Sequence, residues 1–546
     1  MTQGADAPTL GRAESLSVRA FVAVHGLWFG VAVTAAAAGA FLLHQLMAWP
    51  PHEDETLALF VGRDSLGGVL DHVTRERGGA PLHFLLAWCV AHVGLGLGAL
   101  RTLSAVFAVA SLPLVALIAS RLAGRRAALT ATVLLAGSWI FLFHGVYARM
   151  YSVFLFLSLM SFLTLLRALE RGGRAWVPWG AAILLCVAAH PYGALVLASQ
   201  GMYVLLARRD RLRSSAAAFG AVLVLGIPFW LTDLVLAGRF DVGVGGGGEK
   251  LGGPWAIATY LWRAAGDFST GWWPVLVIVL GLALAGVATV GRDTRLLCLS
   301  VVALPAAAFL AARFGGSASP ESRHLIFVAP FFAILVGAGI ARVSRRLPAL
   351  AVVVVAGLLV AEVGWAWHRT APLFQWEPDK RQAARAEAEA YLATTSRPDD
   401  ILFGYEPLYL GAWERNAGFA RIVLPRADAR LALRTLTRQK APIGRGVWVL
   451  DASRRNNVRP RLEIENVSPR PPGAFVTRSF GPFLVIRTAG PARTPERYLR
   501  LAGSAILLGR SLGIGDSEVN LQTVERAGRE LRGYGPSARV RSSDSR

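Results

Sequence analysis

The chain has 546 residues, 54% of them hydrophobic, with a mean hydropathy of +0.46 and a formal charge of +22. Many apolar runs reach the roughly 17 to 25 residues that cross a bilayer as a helix, which excludes a soluble globular protein. The basic excess is spread over the loops between these runs, which argues for the positive-inside rule and against a nucleic-acid partner.

In chain order, the first apolar run (20–48) is too long for a signal-peptide core and lacks a small-residue cleavage site, so it reads as an anchor and first span. It ends at "WPPHEDETLALF" (49–60), where Pro50 and Pro51 stop one helix and Glu53, Asp54 and Glu55 open the next. The stretch "APLHFLLAWCVAHVGLGLG" (80–98) is apolar enough to cross. Counting it, however, would throw every later arginine cluster to the outer side, so it reads as a helix lying in the outer interface. Those clusters are "RLAGRR" (121–126), "RALERGGR" (167–174), "RRDRLR" (208–213), "GRDTR" (291–295) and "ARVSRR" (341–346). Each separates two apolar runs and is expected in the cytoplasm. Eleven spans follow, near 20–48, 100–120, 127–144, 150–168, 175–190, 191–207, 215–237, 273–291, 296–313, 324–342 and 347–367. With the N-terminus cytoplasmic, the loops 49–99 and 238–272, the turns at 144–152, 190–192 and 314–323, and the tail all fall on the outer side.

From about residue 370 the apolar runs shorten. "QAARAEAEAYLATT" reads as a helix, "DDILFGYE" and "RIVLP" as strands, "RADARLALRTLTRQ" as a helix and "RGVWVLDAS" as a strand, an alternation that suggests a partly parallel sheet. The segment 497–512 is amphipathic and too short to span, and 242–250 is a glycine-rich flexible loop. The expected fold is a polytopic α-helical membrane protein of about eleven spans plus interfacial helices, with a C-terminal soluble α/β domain. The expected boundaries are a transmembrane domain at 1–369 with its outer loop 49–99, an extracytoplasmic domain at 370–534 and a disordered tail at 535–546. Cys89, Cys186 and Cys298 lie in membrane or interfacial segments, so no disulfide framework is implied.

Four groups of polar residues sit at the outer ends of spans. The acidic run is the first; it reads either as a plain helix start favoured by the helix dipole or as the source of a general base, with Glu53 contributing charge only. A divalent cation at His52 and its neighbouring carboxylates is a third reading, on unspecific spacing. The second group is "FHGVYARMYSV", with His144, Tyr147, Arg149 and Tyr151; the third is "AAHPYGALVL", with His190 and Tyr192 around Pro191. The fourth is "SPESRHLIFVAP", with Glu321, Arg323 and His324, where Arg323 breaks the arginine asymmetry. A carboxylate base facing cationic groups beside lipid is what transfer from a lipid phosphate requires.

The order of these motifs resembles the GT-C membrane glycosyltransferases that use polyprenyl-phosphate sugars, the superfamily of protein O-mannosyltransferases and lipid A aminoarabinose transferases. The residues that carry it are Asp54 and Glu55, "APLHFLL" (80–86), "LRTLSAVFAV" (100–109), "YARMYS" (147–152) and "SRHLIFVAPFFAILVGAGI" (322–340), over about residues 18–367. The chain departs from the family pattern at Tyr147, where a glutamate is frequent, at Ala80, where one of two paired prolines stands, and at His83, where tyrosine is common.

The resemblance implies inverting transfer of a monosaccharide from a polyprenyl-phosphate donor to a hydroxyl of a lipid, glycan or protein acceptor at the outer face of the inner (plasma) membrane. Asp54 and Glu55 would be catalytic, Asp54 as base and Glu55 orienting it or binding the sugar. Arg149, Tyr151, His190, Tyr192, Arg323 and His324 would bind the donor's phosphate or sugar. No cofactor and no metal ligand is assigned. The alternative is a transporter or flippase of a lipid-linked saccharide, for which ionisable residues near span centres would be expected.

Overall fold

The computed structural model describes residues 10–240, 252–313, 321–439, 442–452, 464–514 and 517–533. The glycine-rich loop 242–250, most of the turn 314–323 and the tail 535–546 lie outside the described residues. The first apolar helix, α1 (Leu10–Gln45), is followed in the outer loop by α2 (Glu53–Gly62), α3 (Leu66–Asp71) and α4 (Pro81–His92). The bundle continues with α5 (Leu97–Ala123), α6 (Arg125–Gly137), α7 (Trp139–Val146), α8 (Tyr151–Arg171), α9 (Trp176–Ala189) and α10 (Gly193–Ala207). Then come α11 (Leu212–Leu225), α12 (Ile227–Phe240), α13 (Pro254–Phe268), α14 (Trp273–Thr289), α15 (Arg292–Arg313), α16 (Ala329–Ser344) and α17 (Pro348–Arg369).

Among the described residues, five helical segments are long and apolar enough to cross a membrane: His25–Gln45, Leu97–Ala123, Tyr151–Arg171, Ser322–Ser344 and Pro348–Arg369. Three bent pairs bring the number to eight if each pair is one span. The straight span expected at 127–144 is α6 and α7 with a 57° bend, where Ser138 is extended. The one expected at 215–237 bends by 58° beside Gly226 and Pro228. The expected loop 238–272 contains α13, which meets α14 at 84°. Glycine, serine and proline at these breaks release the helical hydrogen bonding that apolar composition alone would continue. At the expected spans 175–190 and 191–207 the chain forms α9 and α10, of only 14 and 15 residues.

The stretch expected to lie in the interface forms α4, whose 12 residues are too few to cross. Its start is left-handed, with φ of +73°, +65° and +46° at Gly78, Gly79 and Ala80. A proline at position 80 is fixed near −65° and could not take this turn, which accounts for Ala80 where the resembling family carries proline. Deeper in the bundle, α14 and α16 touch backbone to backbone. A Cβ on Gly286 would lie 1.9 Å from the Leu335 carbonyl oxygen, and one on Gly339 would lie 2.1 Å from that of Leu282.

The two ends of the bundle differ in chemistry. At one, the arginine-rich loops meet: Arg121 pairs with Glu170 at 3.7 Å, Arg126 donates to the Ser344 hydroxyl, Arg208 to the Leu169 carbonyl, and Thr294 to the Leu122 carbonyl. At the other stand the outer loop and the tail.

The tail is built from α18 (Asp379–Thr395), β1 (Ile401–Phe403), α19 (Pro407–Arg415), β2 (Ile422–Leu424), α20 (Ala429–Arg438), β3 (Gly446–Asp451), β4 (Phe475–Phe480), β5 (Phe483–Thr488), α21 (Pro495–Ser511) and α22 (Ser517–Gly533). The strand order is β2-β1-β3-β5-β4, with β1 parallel to β2 and β3, and β5 antiparallel to β3 and β4. Alternate residues face opposite layers, as the period of two requires. Ile401, Phe403, Trp448, Leu484 and Ile486 pack with Leu433, Tyr498 and Leu499. On the other face, Leu402, Val447, Val449, Phe483 and Val485 join Leu408 and Tyr409, and the same core takes in Leu57, Leu59, Phe60, Val69, Phe84 and Leu100. The outer loop, expected as part of the 1–369 domain, therefore also contributes to the tail's core.

Candidate active site

The three consecutive carboxylates point three ways because successive residues of a helical turn are about 100° apart. Glu55 turns inward. Its side chain is 0% exposed and is gripped by Arg101 of α5, with Nε to Oε1 at 2.9 Å and a terminal nitrogen to Oε2 at 2.6 Å. Oε1 also accepts the Ala148 amide at 2.9 Å, and Oε2 accepts the His52 amide at 3.1 Å. The His52 ring in turn accepts the Asp54 amide, closing a capping box at the start of α2. Arg101 spends its remaining donors on the carbonyls of Leu46, Trp49 and Pro50. Glu55 is thus the internal clamp of the turn, an arrangement that matches the orienting role rather than the sugar-binding one among the two that the resemblance implied.

Glu53 turns toward the tail and accepts from the Tyr405 amide at 3.0 Å and from Arg426 at 3.2 Å. Asp54 is left, with 38% of its side chain exposed. Arg149 lies 3.3 Å from its Oδ1 and donates to its backbone carbonyl at 3.0 Å, while the Tyr147 hydroxyl donates to Oδ2 at 3.1 Å. Burial by itself would raise the Asp54 carboxyl, but Arg149, then His52 and Arg323, with the Tyr147 hydroxyl, outweigh it and hold the group well below the usual carboxylate range. Asp54 is therefore ionised at neutral pH and able to accept a proton. Tyr147 adds no second negative charge beside it, as a glutamate would.

The remaining residues gather around Tyr151. Arg323 lies over its ring at 5.6 Å, and the rings of His144, His190 and His324 are 4.6, 5.4 and 6.5 Å away. Tyr192 faces His190 at 5.2 Å and His324 at 5.0 Å. Arg323 is paired with Glu321, its carboxylate being 2.5 Å from Nε. So Asp54, Arg149, Tyr151, His190, Tyr192, Arg323 and His324 share one end of the bundle, and Glu55 alone faces away.

Sequence reasoning gave no role to Arg101 or Glu362, and it named His83 and His144 without assigning them to the site. Arg101 stood only inside the motif "LRTLSAVFAV"; an arginine in the first turns of an apolar helix, just after the acidic loop, was the available signal. Glu362, buried in α17 and accepting from Ser269 at 2.8 Å, lies two residues beyond the apolar run "VVVVAGLLV" and is an ionisable group inside a span. His83 and His144 are buried, and among the described residues His83 Nε2 and both ring nitrogens of His144 lack a hydrogen-bond partner. Burial, with Arg149 close by, pushes the His83 imidazole down to about 3, so it stays neutral. No group of three or more His, Cys, Asp or Glu side chains is arranged to hold a metal among the described residues.

No protein-family model matches the chain, and no curated protein matches it. Solved structures do. The structure of ArnT from Cupriavidus metallidurans bound to undecaprenyl phosphate superposes with a TM-score of 0.57 at 16% identity, covering 84% of this chain and 97% of that one. The chain has the GT-C fold. The apo state of the same ArnT gives 0.56 at 15% identity over 84% and 97% of the two chains. The mycobacterial arabinofuranosyltransferase AftD gives 0.50 at 17% identity, covering 83% of this chain and 40% of the larger one. At these identities the likeness to GT-C structures is one of fold, and the chemistry must come from the residues above.

Proposed function

We propose that this chain is an inverting glycosyltransferase that moves a monosaccharide from a polyprenyl-phosphate donor to a hydroxyl of a lipid, glycan or protein acceptor. One observation carries the reading: of three adjacent carboxylates Asp54 is the most exposed, 38% against 28% for Glu53 and 0% for Glu55, and it is paired with Arg149 rather than with the tail or the bundle interior. The binding of undecaprenyl phosphate by a GT-C neighbour supports the donor class. In the reaction Asp54 takes the acceptor's hydroxyl proton as that oxygen bonds to the anomeric carbon. The bond from that carbon to the phosphate oxygen breaks, its electron pair stays with the phosphate, and the configuration inverts. Arg149 and Arg323 face the charge that develops on the leaving lipid phosphate. Tyr151, His190, Tyr192 and His324 border the donor head, where the unpartnered nitrogens of His83 and His144 supply further polar contacts.

The test is transfer of a labelled sugar from a polyprenyl-phosphate donor by purified protein, with donor binding measured beside it. Arg323→Ala removes a charge-assisted contact of about 1.5–3 kcal/mol, so donor affinity should fall on the order of 10- to 100-fold with the fold intact. Unchanged affinity and turnover would reduce Arg323 to an interfacial anchor. The convergence of arginine loops at the opposite end of the bundle supports a cytoplasmic N-terminus and a site at the outer face of the plasma membrane. A reporter active only in the cytoplasm, fused after residue 380, should be silent; activity there reverses the orientation.

A further inference from the structure

We infer that the C-terminal tail positions the reactive turn of α2 through Glu53, so that Glu53 and Arg426 are positioning residues for Asp54. The inference builds on the proposal that Asp54 is the base. Glu53 precedes Asp54 directly, and both its oxygens are bound by the tail: Oε1 by the Tyr405 amide at 3.0 Å and Oε2 by Arg426 at 3.2 Å. One helical turn on, the Thr56 hydroxyl donates to the Tyr405 carbonyl. Tyr405 is thereby held through both its N–H and its C=O, by two residues that bracket the acid.

The tail's half of the contact is itself braced. Arg426 donates to Glu406 at 3.0 Å and, through Nε, to the Phe403 carbonyl at 3.4 Å. The backbone at Gly404 takes φ +81°, and a Cβ there would lie 2.2 Å from Arg426 Nε, so glycine is what lets the guanidinium cross the end of β1. Behind it, Phe60 of α2 stacks at 4.7 Å on Trp413 and meets Tyr405 at 5.7 Å.

The turn is therefore held from two sides, by Arg101 through Glu55 and by the tail through Glu53, with Asp54 between them. A general base must stand within hydrogen-bond reach of its proton, and a displacement of about 1 Å can cost on the order of 100-fold in rate. The donor-facing groups Tyr151, Arg323 and His324 come from other elements and make none of these contacts, and Arg149 meets the turn at Asp54 itself, through its carbonyl and Oδ1, without touching the tail's anchor. Loosening the tail's hold should therefore reduce turnover and spare donor binding.

Full-length protein in detergent carrying Glu53→Gln, Arg426→Ala or both should show turnover at least about 10-fold below the parent. The double variant should be no slower than the worse single one, because the two residues form one contact. Donor Kd should stay within about twofold, backbone amides over 53–60 should exchange hydrogen faster, and Arg426→Lys, which keeps the charge, should recover part of the rate. Glu53→Gln can still accept the Tyr405 amide, so it tests the idea even if Arg426→Ala folds poorly. Turnover within twofold of the parent in both single variants, unchanged exchange over 53–60, or a loss of donor affinity as large as the loss of rate would each overturn the inference. If Asp54→Asn keeps its activity while Arg426→Ala still speeds exchange, the anchorage holds and the base assignment alone falls.

Discussion

Asp54→Asn is expected to lower sugar transfer by about 100-fold or more while leaving folding and donor affinity nearly unchanged, because the amide keeps the size of the side chain but cannot take a proton. A role as an acidic helix start predicts a different outcome: a stability loss of about 0.5–1 kcal/mol and near-normal turnover. The pH profile separates the two further. The Asp54 carboxyl is held below the usual range by neighbouring arginines, so the active, ionised form persists as pH falls and is lost only below the ordinary carboxylate value of about 3.9. Bound donor phosphate offsets the charge of those arginines, so the acidic limb of kcat should lie at higher pH than that of kcat/KM. Arg149→Ala should move the limb of kcat/KM upward as well. A folded Asp54→Asn protein with most of its transfer rate would end the assignment, and Glu55, fully buried and fully bonded, is no substitute.

Arg101→Leu should be among the most damaging single changes to the fold. It leaves the Glu55 charge buried without its partner and strips donors from the carbonyls of Leu46, Trp49 and Pro50. Removing one member of a buried pair costs about 3–5 kcal/mol, a large part of the roughly 5–15 kcal/mol that holds a domain together. Replacing Glu55 as well should recover only part of this, since the amides of His52 and Ala148 would then lack the acceptor that the carboxylate provides. Denaturant or thermal unfolding in detergent gives the ranking. An Arg101→Leu protein that melts with the parent would show that Arg101 carries no such weight.

Local chemistry made some of this legible. The arginine spacing separated α4 from the spans, and the alternating apolar runs of the tail located α18, β1, β2, α20 and β3, while the short helix α19 between β1 and β2 went unread. Bends were hidden because a hydropathy average over 127–144 or 215–237 does not register one extended serine or a glycine followed by a proline. The acidic run posed a harder problem. Glu53, Asp54 and Glu55 are chemically near-identical neighbours, and what distinguishes them is the partner each meets, at positions 426, 149 and 101. Those partners are set by tertiary packing. The departures at Ala80 and Tyr147 were visible as departures, but only the left-handed backbone and the hydroxyl on Asp54 give them a physical reason.

The core that the outer loop shares with the tail has a consequence for how the protein is made. Thr56 and Tyr405, which bond across that core, are 349 positions apart in the chain. At about 5–20 residues per second of synthesis, α2 waits roughly 20 to 70 s for the strands and helices that cover it. Throughout that interval Leu57, Leu59 and Phe60 have no partner on the far side, and the turn bearing Asp54 lacks its anchor on the tail. The nascent chain is thus inserted in the membrane well before its reactive turn is fixed, and a product that terminates before residue 405 carries every donor-facing residue named here without the contacts that make the turn rigid.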